Sequence, residues 1–278
     1  MNEVQDTILQ IFREAKTICE RHGIPYFAIG GTCIGAVRHN GFIPWDDDLD
    51  IAIPIEDYDR FLEIAKKELP EHFSVYTCDD IRHYRYIFAK IIDSRTTFIE
   101  KNDVPYPDSY KGIFLDVMPI SGVPASAASR KRFLKRIHRY TTLNTKMRFP
   151  TAEFRKWQAR ALSVAMLPLR LILKYTYFSD RYLNMLRKHP FASAEYTGYV
   201  WSLSIDRLIF PKEWFASQVE LPFENTTIAC PKEWDRYLSQ QFHDYMRLPP
   251  EGERMIHSEE CVDAKKSYKE YQKEGFAL

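Results

Sequence analysis

The chain lacks paired cysteine motifs, internal repeats and any long uncharged apolar run. Its five cysteines are scattered without a Cys-x-x-Cys spacing, so neither a disulfide framework nor a zinc site is indicated. Charged residues throughout residues 1–21 exclude the apolar core of a signal peptide. No apolar run is long enough to span a bilayer, and no repeat suggests a solenoid. These absences predict a protein of the reducing cytosol.

Basic residues are concentrated in one part of the chain. The whole sequence has a net charge of +1, but residues 128–190 contain 16 Lys and Arg against two acids, a net charge of +14. The remainder therefore carries −13. The basic segment predicts either helices with solvated faces or an anionic partner. Its most apolar part, residues 161–173, predicts a buried helix or a helix lying on a membrane surface.

Residues 30–53 contain the most informative pattern, a glycine pair followed by four acids and a hydrophobic strand predicted over residues 48–53. Asp48 and Asp50 share one face of an extended chain. Two carboxylates ~4 Å apart repel by roughly 4 kcal/mol at an effective dielectric near ~20. A rigid pair therefore needs a bound cation or a raised pKa. Oxygen ligands favour Mg²⁺ or Mn²⁺, and Mg²⁺ commonly binds together with phosphate.

Two further charged residues lie in apolar surroundings. Residues 112–119 predict a buried strand with a single acid, Asp116, and burial of an ionised carboxylate is costly unless it is paired or metal-bound. Asp116 is therefore the candidate third carboxylate. Lys90 lies in another strand, predicted over residues 84–92. We expect it to contact a phosphate or a site carboxylate, the alternative being an edge-strand lysine that reaches solvent.

The glycine pair predicts a phosphate-binding turn. Gly30 and Gly31 allow backbone N–H groups to approach a phosphate, and the helix that follows adds a favourable dipole. Thr32 is placed to cap that helix. A purely structural turn is the alternative.

Two residues between the glycine pair and the acids are candidate substrate contacts. Arg38 is predicted either to contact a phosphate or to pair with Asp46 or Asp47. Trp45 is predicted to pack in the core beside Pro44, or to stack on a base or face a quaternary ammonium group.

Long stretches of the sequence resemble one protein family. Residues 30–50 read Gly-Gly-Thr-Cys-Ile-Gly-Ala-Val-Arg-His-Asn-Gly-Phe-Ile-Pro-Trp-Asp-Asp-Asp-Leu-Asp, which closely resembles the signature of the LicD family. Residues 90–98, 112–119 and 231–250 are similar to its later blocks. This family contains bacterial phosphocholine transferases and is related to the fukutin-type phosphotransferases.

The resemblance implies an α+β fold of the nucleotidyltransferase type, with a mixed β-sheet flanked by helices and an additional helical segment. It implies a catalytic core at residues 1–125, a basic helical insertion at 126–190 and a C-terminal part at 191–278 that packs back on the core.

The resemblance also implies roles for individual acids. Asp48, Asp50 and Asp116 fall on the family's three acidic positions, which are expected to be catalytic and to hold Mg²⁺ or Mn²⁺. Asp46 falls on a further acid found in relatives and is expected to contact substrate, as are Gly30 and the other candidates above.

The implied reaction transfers a phospho-alcohol from a CDP-activated donor, most simply phosphocholine from CDP-choline, and releases CMP. The implied acceptor is a hydroxyl of teichoic acid, lipopolysaccharide or another surface glycan, or of a lipid-linked precursor. The basic segment would suit such an acceptor, or an anionic membrane, at the inner face of the cell membrane. Four tyrosines are predicted to help enclose a choline group: Tyr84, Tyr86, Tyr106 and Tyr110.

Three other hypotheses stay open at this stage. A nucleotidyltransferase would share the acids but attack the α-phosphorus of a nucleoside triphosphate. CDP-glycerol or CDP-ribitol could replace CDP-choline as the donor. Nucleic-acid binding by the basic segment is disfavoured, because the acidic remainder of the chain would repel a polyanion.

Overall fold

The computed structural model describes residues 1–199, 205–250, 252, 254 and 259–273. Short 3-10 helices occur at Thr151–Glu153, Ile205–Leu208 and Lys212–Phe215. The α-helices of this part of the chain are α1 (Glu3–His22), α2 (Gly30–His39), α3 (Ile55–Glu68), α4 (Ala127–Arg148), α5 (Trp157–Ala165), α6 (Leu167–Ile172), α7 (Tyr177–Arg187), α8 (Trp234–Phe242) and α9 (Tyr268–Lys273).

A mixed β-sheet forms the centre of the molecule. Its strands follow the order β1-β2-β6-β4-β3, and β7 joins β6 to β8. β2 and β6 run parallel, whereas the other neighbours run antiparallel. With its helices and mixed sheet the protein has the predicted α+β fold. The strands of this sheet and of two separate two-stranded sheets, β9 with β10 and β5 with β11, have the following bounds: β1 (Phe27–Ala28), β2 (Asp50–Pro54), β3 (Phe73–Tyr76), β4 (Ala89–Asp93), β5 (Thr97–Glu100), β6 (Phe114–Val123), β7 (Tyr196–Gly198), β8 (Ile209–Pro211), β9 (Gln218–Phe223), β10 (Thr226–Pro231) and β11 (Glu259–Asp263).

Two strands are shorter than the sequence pattern predicts. β2 begins at Asp50 and not at residue 48, although the Leu49 carbonyl still accepts a hydrogen bond from the Asp116 N–H at 2.9 Å. β4 begins at Ala89 and not at residue 84. The Tyr84 hydroxyl donates to the Phe88 carbonyl at 2.9 Å, so residues 84–88 form a turn-like segment stabilised by their own side chain.

The N-terminal helix fixes the loop that leads to β2. Asn2 and Gln5 form a reciprocal capping box at the start of α1. The same Gln5 side chain is buried and donates to the carbonyls of Ile43 at 3.2 Å and Asp46 at 2.8 Å. One amide therefore both starts the helix and holds the acidic loop against it.

The basic segment is tied to the rest of the molecule by a buried arginine. Arg148, at the end of α4, is 2% exposed and donates to the carbonyls of Cys78 at 2.7 Å and Ile81 at 2.9 Å. On the outer side of α4 the basic residues are solvated, whereas Phe133 and Ile137 are buried. No helix in the described part of the chain is long and apolar enough to cross a membrane.

Residues 161–173 do not form the buried helix that was one of the two predictions. They divide between α5 and α6, and most of their side chains are exposed, Leu171 by 90%. The division of the chain at residues 125 and 190 stays a prediction. The main hydrophobic cluster includes side chains from all three parts, among them Ile53, Ile137 and Phe210.

Gly35 is required where α2 crosses the loop that follows it. A Cβ atom at this position would lie 2.4 Å from the Gly41 carbonyl oxygen. Gly-to-Ala changes inside exposed helices stabilise by about 1 kcal/mol, but here we expect Gly35→Ala to lower the free energy of unfolding by about 1–3 kcal/mol. Asn40→Gly is the control, because Asn40 has a φ of 53° that glycine adopts freely. Asn40→Gly should therefore raise the free energy of unfolding, whereas Gly35→Ala lowers it. Urea unfolding of both variants measures the two changes.

Candidate active site

Three charged residues lie in one row across adjacent strands. In the register of the sheet, Asp116 on β6 is opposite Asp50 on β2 and also opposite Lys90 on β4. Registered residues of neighbouring strands present their side chains on the same face. The pairing of β2, β6 and β4 therefore brings together residues that are up to 66 positions apart in the sequence.

Lys90 and Asp116 form a buried ion pair. The Lys90 ammonium lies 2.5 Å from Asp116 Oδ1, and the two side chains are 1% and 9% exposed. β4 lies between β3 and β6, so Lys90 is not an edge-strand lysine that reaches solvent. Its partner is the carboxylate that the sequence singled out as the third acid of the site.

Aromatic rings surround the same ammonium group. Its nitrogen lies 3.3 Å from the ring centroid of Phe114, 4.3 Å from that of Tyr86 and 5.3 Å from that of Tyr110. These contacts add cation–π attraction in a region that excludes water. The aromatic group therefore already encloses a cation that the protein supplies.

The prediction that four tyrosines enclose a choline group is not supported by their positions. Tyr86 and Tyr110 contact Lys90, and Tyr84 is buried beside them. Tyr106 donates to Glu153 at 2.9 Å and stacks on a histidine outside the row of charges. All four rings are therefore engaged in contacts within the protein.

Asp50 is the carboxylate most strongly affected by its surroundings. Burial raises its pKa well above the usual range, and the nearby charges of Asp48, Asp116 and Asp46 raise it further, whereas Lys90 acts in the opposite direction. As a residue, Asp50 is half-buried. The fold therefore concentrates negative charge around one carboxyl group, and the charge of Lys90 opposes it.

The two glycines leave room for these acids. A Cβ atom at Gly30 would lie 3.5 Å from Asp50 Oδ2, and one at Gly31 would lie 2.8 Å from Asp46 Oδ2. Gly30 also has a φ of +58°, which favours glycine. Gly30 and Gly31 are the first residues of α2 and do not form a turn before it. They bring the N-terminus of the helix beside the carboxylates.

Thr32 does not cap α2 as predicted. The helix begins two residues earlier, with Ile29 at the N-cap and no side-chain cap. Instead the Thr32 hydroxyl accepts a hydrogen bond from the Asp50 N–H at 2.8 Å. The threonine therefore joins α2 to the start of β2 and fixes the backbone of the central acid.

Two tyrosines that the sequence analysis missed support the glycine pair. The Gly30 N–H donates to the Tyr237 hydroxyl at 2.7 Å, which lies 2.8 Å from the Tyr199 hydroxyl. Tyr199 donates to Gln241 Oε1 at 2.5 Å. Burial raises the pKa of both tyrosines, so both hydroxyls stay protonated. The family-like block at residues 231–238 was the available signal, but it gave no partner for Tyr237.

Arg38 and Trp45 contact the segment that follows α8. Arg38 donates to the Tyr245 carbonyl at 2.5 Å, and burial lowers the pKa of its guanidinium. Trp45 is half-buried against the core, and the Arg254 guanidinium lies 4.4 Å above its ring. Contact of either residue with a substrate stays a prediction.

The oxygen ligands of the site suit a hard divalent cation, and such an ion would relieve the repulsion that raises the pKa of Asp50. As they stand, no three His, Cys, Asp or Glu side chains among the described residues are arranged to hold a metal ion. Lys90 takes one oxygen of Asp116. Asp48 and Asp50 are therefore the residues that fit the ion best, and Asp116 fits as an adjacent, lysine-bound acid.

Comparison with known proteins identifies the family. Residues 23–168 match the family described as LicD/FKTN/FKRP, nucleotidyltransferase domain. The chain is 32% identical over 263 residues to the lipopolysaccharide cholinephosphotransferase LicD of Haemophilus influenzae, an alignment that covers 92% of this chain and 95% of that protein. It is also 34% identical over 93 residues to the ribitol-5-phosphate transferase FKTN of Mus musculus, which covers 32% of this chain and 17% of the relative. This chain therefore belongs to the LicD family of transferases.

Proposed function

We propose that this protein transfers phosphocholine from CDP-choline to a hydroxyl of a cell-surface glycan, such as lipopolysaccharide or teichoic acid, or of its lipid-linked precursor. The acceptor hydroxyl gives up its proton to solvent and its oxygen forms a bond to the distal phosphorus. The bond from that phosphorus to the bridging oxygen breaks, and CMP leaves with that oxygen. The alignment with the cholinephosphotransferase along most of both chains supports the donor. The row formed by Asp50, Asp116 and Lys90 is the observation that carries the chemistry.

We assign Asp48 and Asp50 to the binding of Mg²⁺ or Mn²⁺. When bound, the ion supplies charge neutralisation for the diphosphate and for the leaving oxygen. Lys90 fixes the orientation of Asp116 through one carboxylate oxygen. Asp116 in turn contacts a second ion or orients the acceptor hydroxyl. The pKa of Asp50 is raised first by burial and then by the charges of Asp48 and Asp116, and the carboxylates close to Asp50 support this assignment.

We assign donor binding to the start of α2 and the loop before β2. Gly30 and Gly31 place the start of α2 beside the acids. Tyr237 occupies the Gly30 N–H, so the helix dipole and the other N–H groups of the first turn would attract a phosphate. Asp46, Thr32 and Arg38 hold this region in place. Trp45 would offer a ring face to the base or to the ammonium group in place of the Arg254 guanidinium that lies over it.

A cytoplasmic reaction at the inner face of the cell membrane fits this proposal. The donor would be taken from solution, and a lipid-linked acceptor would be presented at the bilayer surface. The basic segment, with a net charge of +14, favours contact with anionic lipids at that face. Nucleic acid is not a proposed partner.

The donor can be identified by the product that is released. We expect CMP from CDP-choline in the presence of Mg²⁺ and a glycan acceptor, and less from CDP-ribitol and CDP-glycerol. Stronger CMP release from CDP-ribitol would favour the activity named for FKTN. Pyrophosphate release from ATP or CTP would instead support the nucleotidyltransferase hypothesis, which the description of the matched domain raises. Chromatography of the nucleotide products separates these outcomes.

Replacement of Asp50 separates its catalytic role from its effect on stability. We expect Asp50→Asn to lower turnover at least about a hundredfold, because the ion loses a charged ligand. Above its ordinary pKa range, ionisation of Asp50 opposes folding, since the native state binds the proton more tightly than the unfolded chain. In EDTA, the variant should therefore gain thermal stability over wild type as the pH rises from about 4, near the ordinary pKa of an aspartate, to about 8.

Asp57→Asn is the control for this experiment. Asp57 lies on α3, where it pairs with Arg60 at 3.0 Å at the protein surface, so its replacement should leave turnover and the pH trend unchanged. Near wild-type turnover by Asp50→Asn would show that the site has been assigned wrongly.

A double-mutant cycle tests the ion pair. Lys90→Met leaves Asp116 buried without its ammonium partner, and we expect the free energy of unfolding to fall by about 3–5 kcal/mol. Lys90→Met combined with Asp116→Asn should recover much of that loss, because methionine suits the aromatic surroundings and no charge is left buried. Turnover should stay low in the double variant. Recovery of both properties would mean that the pair has only a structural role.

A further inference from the structure

Helices α5 and α6 are held against the protein along a narrow strip. Ser163 and Met166 are buried, and Arg170 is half-buried. Met166 packs with Met147 and Phe178 in a small hydrophobic cluster. Most of the remaining surface of both helices faces solvent.

A polar anchor fixes this arrangement. The Arg170 guanidinium donates to the carbonyl of Lys146 at 3.1 Å, to that of Phe149 at 2.7 Å and to the Ser163 hydroxyl at 2.9 Å. Since the carbonyls belong to the end of α4 and the residue that follows it, the two short helices are tied to the end of α4. The outward direction of their other side chains is thus set by specific contacts on the inner side.

The outward side is apolar. In the part of the chain that the structure describes, seven of the twelve exposed large hydrophobic side chains lie on these two helices. Trp157, Leu171 and Ile172 are 73%, 90% and 78% exposed. Single exposed hydrophobics are ordinary, but such a concentration marks an interaction surface. We name this the α5–α6 surface: Trp157, Leu162, Val164, Leu167, Leu169, Leu171 and Ile172.

The charges around the α5–α6 surface distinguish between possible occupants. Arg155, Lys156, Arg160 and Lys174 are exposed on or beside these helices, within the segment that carries +14. A second copy of the chain docked through the same surface would bring like charges together. An anionic bilayer offers both an apolar interior and opposite charge, the two properties that this surface matches.

The dimensions of α5 and α6 fit a position on a bilayer and not across it. α5 has nine residues and α6 has six, which correspond to roughly 14 Å and 9 Å of helix. Each is far shorter than the roughly 30 Å of a hydrocarbon core. Short helices with apolar side chains on the outside and basic residues at the margin are typical of interfacial binding.

We propose that the α5–α6 surface docks the protein on an anionic phospholipid bilayer, with its apolar side chains at the boundary of headgroups and acyl chains and its basic neighbours on lipid phosphates. The inference rests on the proposed function for one point, the purpose of docking, which is to bring the active site to a lipid-linked acceptor. The binding itself is independent of the reaction catalysed.

Vesicle flotation tests the docking. The intact chain should float with vesicles of phosphatidylcholine mixed with phosphatidylglycerol, and much less with phosphatidylcholine alone. The triple variant Trp157→Ser, Leu171→Ser, Ile172→Ser should bind the anionic vesicles about tenfold or more weakly. These side chains are exposed, so the variant should keep its melting temperature. The triple variant Arg155→Gln, Lys156→Gln, Arg160→Gln should lose binding mainly at low salt.

A control removes three exposed hydrophobic side chains elsewhere on the protein. Phe242, Met246 and Leu248 are 39%, 54% and 48% exposed, and their replacement by Ser should leave flotation unchanged. Equal flotation of wild type and the first triple variant would overturn the proposal. So would a wild-type dimer, seen by sedimentation, that the same variant abolishes while vesicles bind neither protein.

The two proposals can fail separately. CMP release with a water-soluble acceptor should be the same for wild type and the first triple variant, because the α5–α6 surface holds no residue of the active site. If wild type released no CMP from any CDP-alcohol, the proposed reaction would be wrong while the flotation result still decided the docking surface.

Discussion

The ion pair between Lys90 and Asp116 is the interaction on which the active site depends. Two neighbouring strands place Asp116 opposite Lys90 on one side and opposite Asp50 on the other. Burial of two adjacent carboxylates without a counter-charge would be prohibitively costly. The ammonium, held by Phe114 and Tyr86, supplies that charge from within the sheet. The protein can therefore keep an acidic centre folded before any ligand arrives.

The remaining parts of the site hold backbone in place around this pair. Gln5 binds the carbonyls of the loop that carries the acids, Thr32 binds the N–H of Asp50, and Tyr237 binds the N–H of Gly30. Each contact comes from a different helix, α1, α2 or α8. The acids are thus fixed by three distant segments, which explains why a family-like block near residue 237 accompanies the one near residue 30.

The resemblance to the LicD family implied the α+β fold. The cost of a buried charge, which is a local property, predicted that Lys90 contacts a phosphate or a site carboxylate, and the structure shows the carboxylate. The sequence did not predict the function of Thr32, since the choice between capping a helix and binding the Asp50 N–H depends on where α2 begins. The helix starts at Gly30, which has a positive φ and lies beside the Asp50 side chain. Tyr199 and Tyr237 were missed because their hydroxyls meet only in three dimensions.

The exposure of α5 and α6 likewise could not be predicted from a hydrophobic pattern, because the pattern is the same for a buried helix and for one that faces a bilayer.

Charge balance links the site to the substrate that we propose. The charges of Asp48, Asp116 and Asp46 all act on Asp50, and Lys90 pairs with Asp116, so the site is rich in carboxylates. A diphosphate donor adds further negative charge and would be repelled by ionised acids. Burial and these neighbouring acids favour the protonated form of Asp50, as the raised pKa of that residue indicates. On the proposed reaction, a divalent ion bound by Asp48 and Asp50 would neutralise the same charge and would favour binding of the donor's phosphates. Proton and metal would then compete for Asp50, and the ion would make an acidic site a binding site for an anionic donor.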